Sequence, residues 1–409
     1  MFFRHIDRIK TAFFSSYALS ACGYELIVFI MTLYVYRISN SAFSVGIFTA
    51  ITFLAKLFSP LLGILTDRYQ RSAVFAAAMG IAGLSIFLLA PATRLIWIYL
   101  LWFGISVVLM QIANVRTALM AQLMAGNYLL GNSIALILLS FARVVSPVVS
   151  GLMAVSHDLK ALVYVTGIAY LLAMVIVRTV TLPAQAGFTN KNSTIFRDLR
   201  EGFVQIRQDA NLRFLTVIAS LWRLFLGMQL SLFVVYVTSS LAQNDSRYGL
   251  FMTTIALGSI FGSLIRPLII KKFKTTTLPL WGLSVHYCTF AALGLINNYS
   301  LALITVFVSY AAFYIALVGL HTLRDKSTPS ASRGRVYGFV TMILAVFAII
   351  SMLAGGYLAN LIGAQRVLLG GGVLALVSLH ILNITLKSVR LGRDFRSSGS
   401  IEALRQREL

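Results

Sequence analysis

The sequence predicts an all-α membrane protein with twelve transmembrane helices arranged as two pseudo-symmetric six-helix halves. Three observations carry that expectation. Hydrophobic residues make up 59% of the chain and charged residues 11%, whereas a soluble domain carries about 25% charged residues. Apolar runs recur twelve times along the chain, each near the ~20 residues that a helix needs to cross the hydrocarbon core. The longest break between runs, 182–212, divides them six and six.

The first half, 1–181, opens on basic Arg4, Arg8 and Lys10 and an apolar run at 12–36. The tetrapeptide "LSAC", Leu19 to Cys22, looks like a lipoprotein cleavage box, but the run continues past Cys22 as an uncleaved span does. Runs at 43–66, 72–91, 95–118, 128–154 and 160–181 complete this half. In the break, "IFRDLREGFVQIRQ" places Ile195, Leu199, Phe203 and Ile206 on one helical stripe with charges opposite. That is the pattern of an amphipathic helix lying on a membrane face, here a tether between halves. The second half, 213–387, carries runs at 213–240, 248–270, 278–296, 300–323, 336–360 and 366–387, and a basic tail occupies 388–409. Laying one half over the other sets "LTDRYQ" against "IIKKFK", Ile269 to Lys274, a basic-aromatic break after the second span of each. Internal symmetry of this kind belongs to transporters built from repeats.

Lys and Arg total 34 against 12 acids, a net charge of +22. When the breaks are assigned alternately to two sides, 26 of these cations fall on the side holding both termini and five on the other. The positive-inside rule then puts both termini in the cytoplasm. The excess charge is a matter of orientation, not nucleic-acid binding.

The break after the second run reads "GILTDRYQR", Gly63 to Arg71. It resembles the signature loop of the major facilitator superfamily, G-x-L-a-D-R-x-G-R: Gly63, Leu65, Asp67, Arg68 and Arg71 match, and Gln70 replaces the second glycine. The resemblance implies a cytoplasmic gate. Gly63 would permit close helix approach, Asp67 would accept hydrogen bonds at a facing helix end, and the arginines would anchor among headgroups. In span five, "ARVVSPVVSGL" is similar to the g-x-x-x-G-P-x-x-G-G motif of drug antiporters. It keeps Pro147 and Gly151, with Ala142, Ser146 and Ser150 in place of glycines. That similarity implies export; its plain structural alternative is a packing seam. "IANVR", Ile112 to Arg116, partly resembles the span-four l-x-x-x-R motif, and Arg116 is expected to snorkel to the interface. "RGRVYG", Arg333 to Gly338, together with the long link, looks most like the branch containing enterobactin and macrolide exporters. The resemblance further implies a monomer in a bacterial cytoplasmic (inner) membrane, with spans one, four, seven and ten lining a central cavity.

Four ionisable residues lie near mid-span: Glu25, Lys56, Arg143 and Arg223. Charge at that depth is costly unless paired or hydrated, so each is a functional candidate. Small or polar residues share their helical faces: Tyr17, Ala21 and Tyr24 with Glu25; Asn132, Ser140 and Pro147 with Arg143; Ser220, Gly227 and Ser231 with Arg223. By the resemblance, Gln111, Asn114, Tyr310 and Tyr314 join Glu25 and Arg223 in the cavity. Three cations against one carboxylate favour an anionic substrate, and guanidinium and ammonium groups suit carboxylate or phosphate. Arg143, Arg223 and Lys56 are its expected contacts. The structural alternative pairs Glu25 with one cation and leaves the others hydrated.

No G-x-x-x-x-G-K-[ST] run occurs, so a proton gradient is the expected energy source and Glu25 the proton-coupling candidate. His286, His321 and His380 are weaker candidates. Cys22 and Cys288 lie in apolar runs, and no metal-ligand cluster or cofactor motif is evident. Nor do paired carboxylates or a nucleophile elbow support a membrane enzyme acting on lipid or quinone. The leading expectation is a proton-coupled exporter of a small anionic metabolite, a carboxylate-type siderophore. The alternatives are a multidrug or macrolide efflux pump with a cavity rich in Tyr17, Tyr24, Tyr310 and Tyr314, and an importer of an anionic metabolite.

Overall fold

A computed structural model describes residues 2–124, 128–156, 159–178, 195–272, 278–327 and 333–405. In hydrocarbon every backbone N–H and C=O must find its partner within the protein, and an uninterrupted helix satisfies them segment by segment. The apolar runs accordingly fold as α1 (Phe2–Ser39), α2 (Ala42–Leu54), α3 (Ser59–Arg68), α4 (Arg71–Phe87), α5 (Leu95–Leu123), α6 (Tyr128–Ser156) and α7 (Leu159–Arg178) in the first half. The second half comprises α9 (Ala210–Val235), α10 (Asp245–Lys272), α11 (Leu278–Leu293), α12 (Tyr299–Ser327), α13 (Arg333–Ile362) and α14 (Ala364–Arg405), with α8 (Ile195–Gln208) between the two. Among the described residues, nine helices are long and apolar enough to cross a membrane. Three shorter apolar ones, Ala42–Phe58, Arg71–Phe87 and Leu278–Leu293, fall where spans two, three and nine are expected.

Span two is not one helix. It breaks at a 3-10 turn, Ala55–Phe58, and α3 restarts with Pro60 in its first turn. Proline lacks the N–H that would continue the helix, so the preceding turn tightens. Asn114 on α5 brackets the break: its Oδ1 accepts from the Ser59 hydroxyl and its Nδ2 donates to the Ser59 carbonyl, each at 3.2 Å. Lys56 therefore sits on a pinned turn rather than on a straight rod.

Within the first half α1 packs on α6 and α7, and α4 on α5 and α7; within the second, α9 packs on α13, α10 on α12, and α11 on α12 and α14. Two seams join the halves, α2 against α13 and α6 against α10. Both bring backbone close to backbone. A Cβ placed on Gly249 would lie 2.5 Å from the Pro147 carbonyl oxygen and 2.8 Å from the Gly151 Cα. In the other seam a Cβ on Gly46 would lie 2.5 Å from the Met352 oxygen, and one on Gly356 2.6 Å from the Ala42 oxygen. The span-five motif therefore lies in a helix-packing seam. Beside Pro147 and Gly151, the Ser146 hydroxyl donates to the Cys22 carbonyl at 3.3 Å, and buried Ser150 has no hydrogen-bond partner among the described residues.

At the end away from the chain termini the halves are latched. Arg37 on α1 pairs with Asp245 on α10, and Tyr36 bonds Ser239. Asn360 accepts the Ala42 N–H at 2.9 Å and donates to Ser41 at 2.8 Å. At the terminus end α8 lies against α9 and α13, where Ile206 joins Leu212, Val336 and Val340 and the Phe203 ring meets Phe339 at 5.6 Å. Arg197, Arg200 and Arg207 face outward from it; the side chains of Ile195 and Leu199 lie outside the described residues.

Overpacking a seam of this kind costs about 1–3 kcal/mol. Gly249→Val is expected to lower the melting temperature of the detergent-purified protein. Gly104→Ala, where an added Cβ meets nothing within 4 Å among the described residues, is expected to leave it equal or slightly raised. Fluorescence-detected thermal unfolding compares the two.

Candidate functional site

Glu25 projects from α1 toward α6, where its Oε1 lies 3.3 Å from Arg143 Nε. The side chains remain 22% and 40% exposed, so the pair is not sealed inside the protein. Arg143 also donates from Nη1 to the Tyr314 hydroxyl on α12 at 3.2 Å. One guanidinium thus ties a carboxylate of its own half to a phenol of the other.

Lys56 and Arg223 are held differently. The Lys56 ammonium lies 3.7 Å from the centroid of the Phe53 ring, and the Arg223 guanidinium lies 5.1 Å from the same ring and 5.2 Å from Trp222. Phe53 itself is buried among Ala50, Ala348 and Met352 where α2 meets α13. Neither cation makes an ion pair among the described residues, and Arg223 Nε is buried without a hydrogen-bond partner. A ring face offsets about 0.5–2 kcal/mol of a cation's desolvation, less than two neighbouring like charges at this depth require. The arrangement is short of negative charge.

A cavity of about 210 Å³ opens beside these groups. Its wall includes Tyr24, Glu25, Lys56, Ser106, Arg116 and Arg143, all from the first half. Arg116 was expected to reach for the interface; instead its guanidinium turns onto the Tyr17 ring, 4.2 Å from the centroid, and lines the cavity. The cavity brings together Glu25, Lys56 and Arg143, with Arg223 and Tyr314 reached through Phe53 and Arg143.

Other sequence candidates lie outside this wall. Gln111 donates to Thr66 at 3.1 Å, Asn114 holds the Ser59 turn, and the Tyr310 hydroxyl donates to Gln229 at 2.9 Å. Gln229 continues to His286 at 3.0 Å and His286 to Ser309 at 2.9 Å, a buried network that fastens α9, α11 and α12 together. In the signature loop, nothing among the described residues lies within 4 Å of where a Cβ on Gly63 would be, so the expected close approach is not seen there. Arg71 opens α4 with its Nε buried and unpartnered among the described residues. The side chains of Asp67 and Arg68 lie outside the described residues. Sequence reasoning missed Phe53 and Ser106. Phe53 precedes Lys56 by one helical turn, a spacing that could have flagged a ring beneath the ammonium.

The family model of the Major Facilitator Superfamily matches residues 13–346. The chain belongs to the major facilitator superfamily. No curated protein matches the sequence. Among solved structures, the nucleoside transporter NupG is similar with a TM-score of 0.79 and 14% identity, over 93% of this chain and 99% of that one. A bacterial homologue of the human lysosomal transporter Spinster, inward-facing and unoccupied, gives 0.71 and 14% over 93% and 95%. A bacterial homologue of the iron transporter ferroportin, inward-facing, gives 0.70 and 16% over 92% and 98%. These likenesses extend over nearly the whole chain and show the fold; with the family match, the chain is a multi-pass membrane transporter.

The Glu25–Arg143 contact is measurable as a coupling. In a double-mutant cycle of Glu25→Gln and Arg143→Gln, thermal stability in detergent is expected to show an interaction of about 0.5–3 kcal/mol. Additive effects of the two substitutions would mean that the pair contributes nothing.

Proposed function

We propose that the protein is a secondary active exporter of a small anionic metabolite, in exchange for protons, and that the substrate is a carboxylate-type siderophore. The observation that carries the anion is the pair Lys56 and Arg223, one from each half, resting on a single phenyl ring with no carboxylate paired to them among the described residues. A substrate carboxylate entering the cavity supplies the missing charge, with Lys56 as a point contact and the guanidinium groups of Arg143 and Arg223 as forked donors. Because Arg223 belongs to the other half, binding draws the halves together around the anion, which is the closing stroke of alternating access.

Glu25 faces the same cavity and is the group placed to carry the proton. A proton on Glu25 removes the charge that holds Arg143, leaving the Tyr314 contact as its remaining tie, so the contact between halves reads the protonation state. The antiporter-like Ser146, Pro147, Ser150 and Gly151 support outward transport, and the signature loop Gly63, Asp67, Arg68 and Arg71 is assigned the cytoplasmic gate. The 26-to-5 cation bias supports cytoplasmic termini in a bacterial inner membrane. The similarity of the "RGRVYG" run to enterobactin and macrolide exporters supports the substrate class. The transporter acts as a monomer.

The test is untargeted analysis of medium and cytosol from iron-starved cells with and without the gene. Loss of an anionic chelator from the medium with accumulation inside is expected, and Arg223→Gln is expected to reproduce it while the protein remains in the membrane. No chelator change, with new sensitivity to amphiphilic antibiotics, would replace this reading with multidrug efflux. In proteoliposomes, Glu25→Gln is expected to retain substrate exchange but lose the response to an imposed pH gradient.

A further inference from the structure

The cavity wall carries a buried hydroxyl that finds no partner among the described residues. Ser106 on α5 is 3% exposed, lines the cavity, and has no hydrogen-bond partner for its Oγ among the described residues. Three of its neighbours on the wall are already engaged. Ser20 donates to the Tyr17 carbonyl at 3.0 Å, and Tyr170 donates to the Ser20 carbonyl at 3.1 Å. Thr52 accepts from the Trp102 indole at 2.9 Å and donates to the Phe48 carbonyl at 3.5 Å. Several buried hydroxyls elsewhere in these helices turn back to the carbonyl one turn earlier, as Thr32, Thr49 and Thr166 do. Ser106 does not.

An unmade hydrogen bond at a buried hydroxyl is a standing cost that a ligand can relieve. The chemistry of that ligand follows from the rest of the wall. Lys56, Arg116 and Arg143 share it, and charge-assisted bonds to carboxylate are roughly twice as strong as neutral ones. The cations therefore take the charged oxygens and leave Ser106 to an uncharged one. A hydroxyl suits it best, because Ser106 has both a donor and lone pairs free, and a carboxylate could fill only the first.

Resting on the anionic-substrate reading above, we propose that Ser106 is a specificity-determining residue that pairs with a substrate hydroxyl and selects hydroxycarboxylates over carboxylates lacking it. A site that hydrogen-bonds a substrate hydroxyl discriminates against the analogue without it, since its own polar group is then left empty.

Citrate and tricarballylate test this, because they carry the same three carboxylates and differ by one hydroxyl. Binding of each to the purified full-length protein is measured by isothermal titration calorimetry, for the wild type, Ser106→Ala and Ser106→Thr. The wild type is expected to prefer citrate about fivefold, the value of one neutral hydrogen bond. Ser106→Ala is expected to erase the preference by weakening citrate alone, and Ser106→Thr, which keeps a hydroxyl, to preserve it. A preference unchanged in Ser106→Ala, or equal weakening of both ligands, overturns the role of Ser106 while the anionic reading stands. Absence of binding of either ligand to the wild type overturns the anionic reading and this inference together. Equal melting temperatures of wild type and Ser106→Ala check that the substitution leaves the fold intact.

Discussion

Hydrocarbon gives a polar group nothing to bond with, and the rest of this structure follows from that constraint. It makes the backbone helical, and wherever the helix is interrupted it requires a side chain to answer. The clearest case is span two, where Pro60 forces a 3-10 turn and Asn114 supplies both a donor and an acceptor at Ser59. The same rule builds the chain Tyr310, Gln229, His286 and Ser309 inside the second half, each polar atom finding the next. It also makes the exceptions conspicuous. Lys56 and Arg223 on Phe53, and the hydroxyl of Ser106, are polar groups whose needs the fold does not meet.

Movement between halves needs surfaces that slide without opening a hole in the bilayer. In the α2–α13 and α6–α10 seams glycines admit backbone to backbone, although Phe53 with Met352 and Phe43 with Tyr357 also pack across the first. Polar contacts across the halves gather elsewhere, at the end away from the termini, where Arg37, Asp245, Tyr36, Ser239, Ser41 and Asn360 meet. Such contacts exchange readily for water when that end opens, so the conformation is held by groups whose release costs little. Arg143 with Tyr314 is the corresponding polar tie near mid-depth. It is coupled to the carboxylate of Glu25 on one side and to the second half on the other.

The cavity is lopsided. Its wall belongs to the first half, while the second half contributes a cation that reaches the shared ring from outside. On the proposed reading, a substrate seated there would be held first by one half and then completed by the other, an order of events that suits a transporter alternating between two states. The buried His286 network gives the second half a rigid frame against which that completion can occur.

The twelve runs, the six-and-six division and the mid-span positions of Glu25, Lys56, Arg143 and Arg223 were all legible in the sequence, and so was the amphipathic stretch that became α8. These are properties of composition and period along one chain direction, set by how each segment partitions between water and hydrocarbon. Which mid-span charge meets which was not legible, because it depends on the rotation and pairing of helices far apart in sequence. Glu25 chose Arg143 across 118 positions, and Arg143 reached Tyr314 across 171. Arg116, close enough to a helix end to snorkel, turned inward because Tyr17 offered its ring. Gly63 matched a motif that implies close packing, yet nothing among the described residues approaches it here. Phe53 and Ser106 carry no charge or motif and became notable only through what surrounds them. The sequence by itself determined that this chain spans the membrane many times, in two related halves, with excess positive charge at mid-depth. Only the tertiary structure decided which of those charges finds a protein partner among the described residues and which does not, because a partner is a matter of distance in space and not of position along the chain.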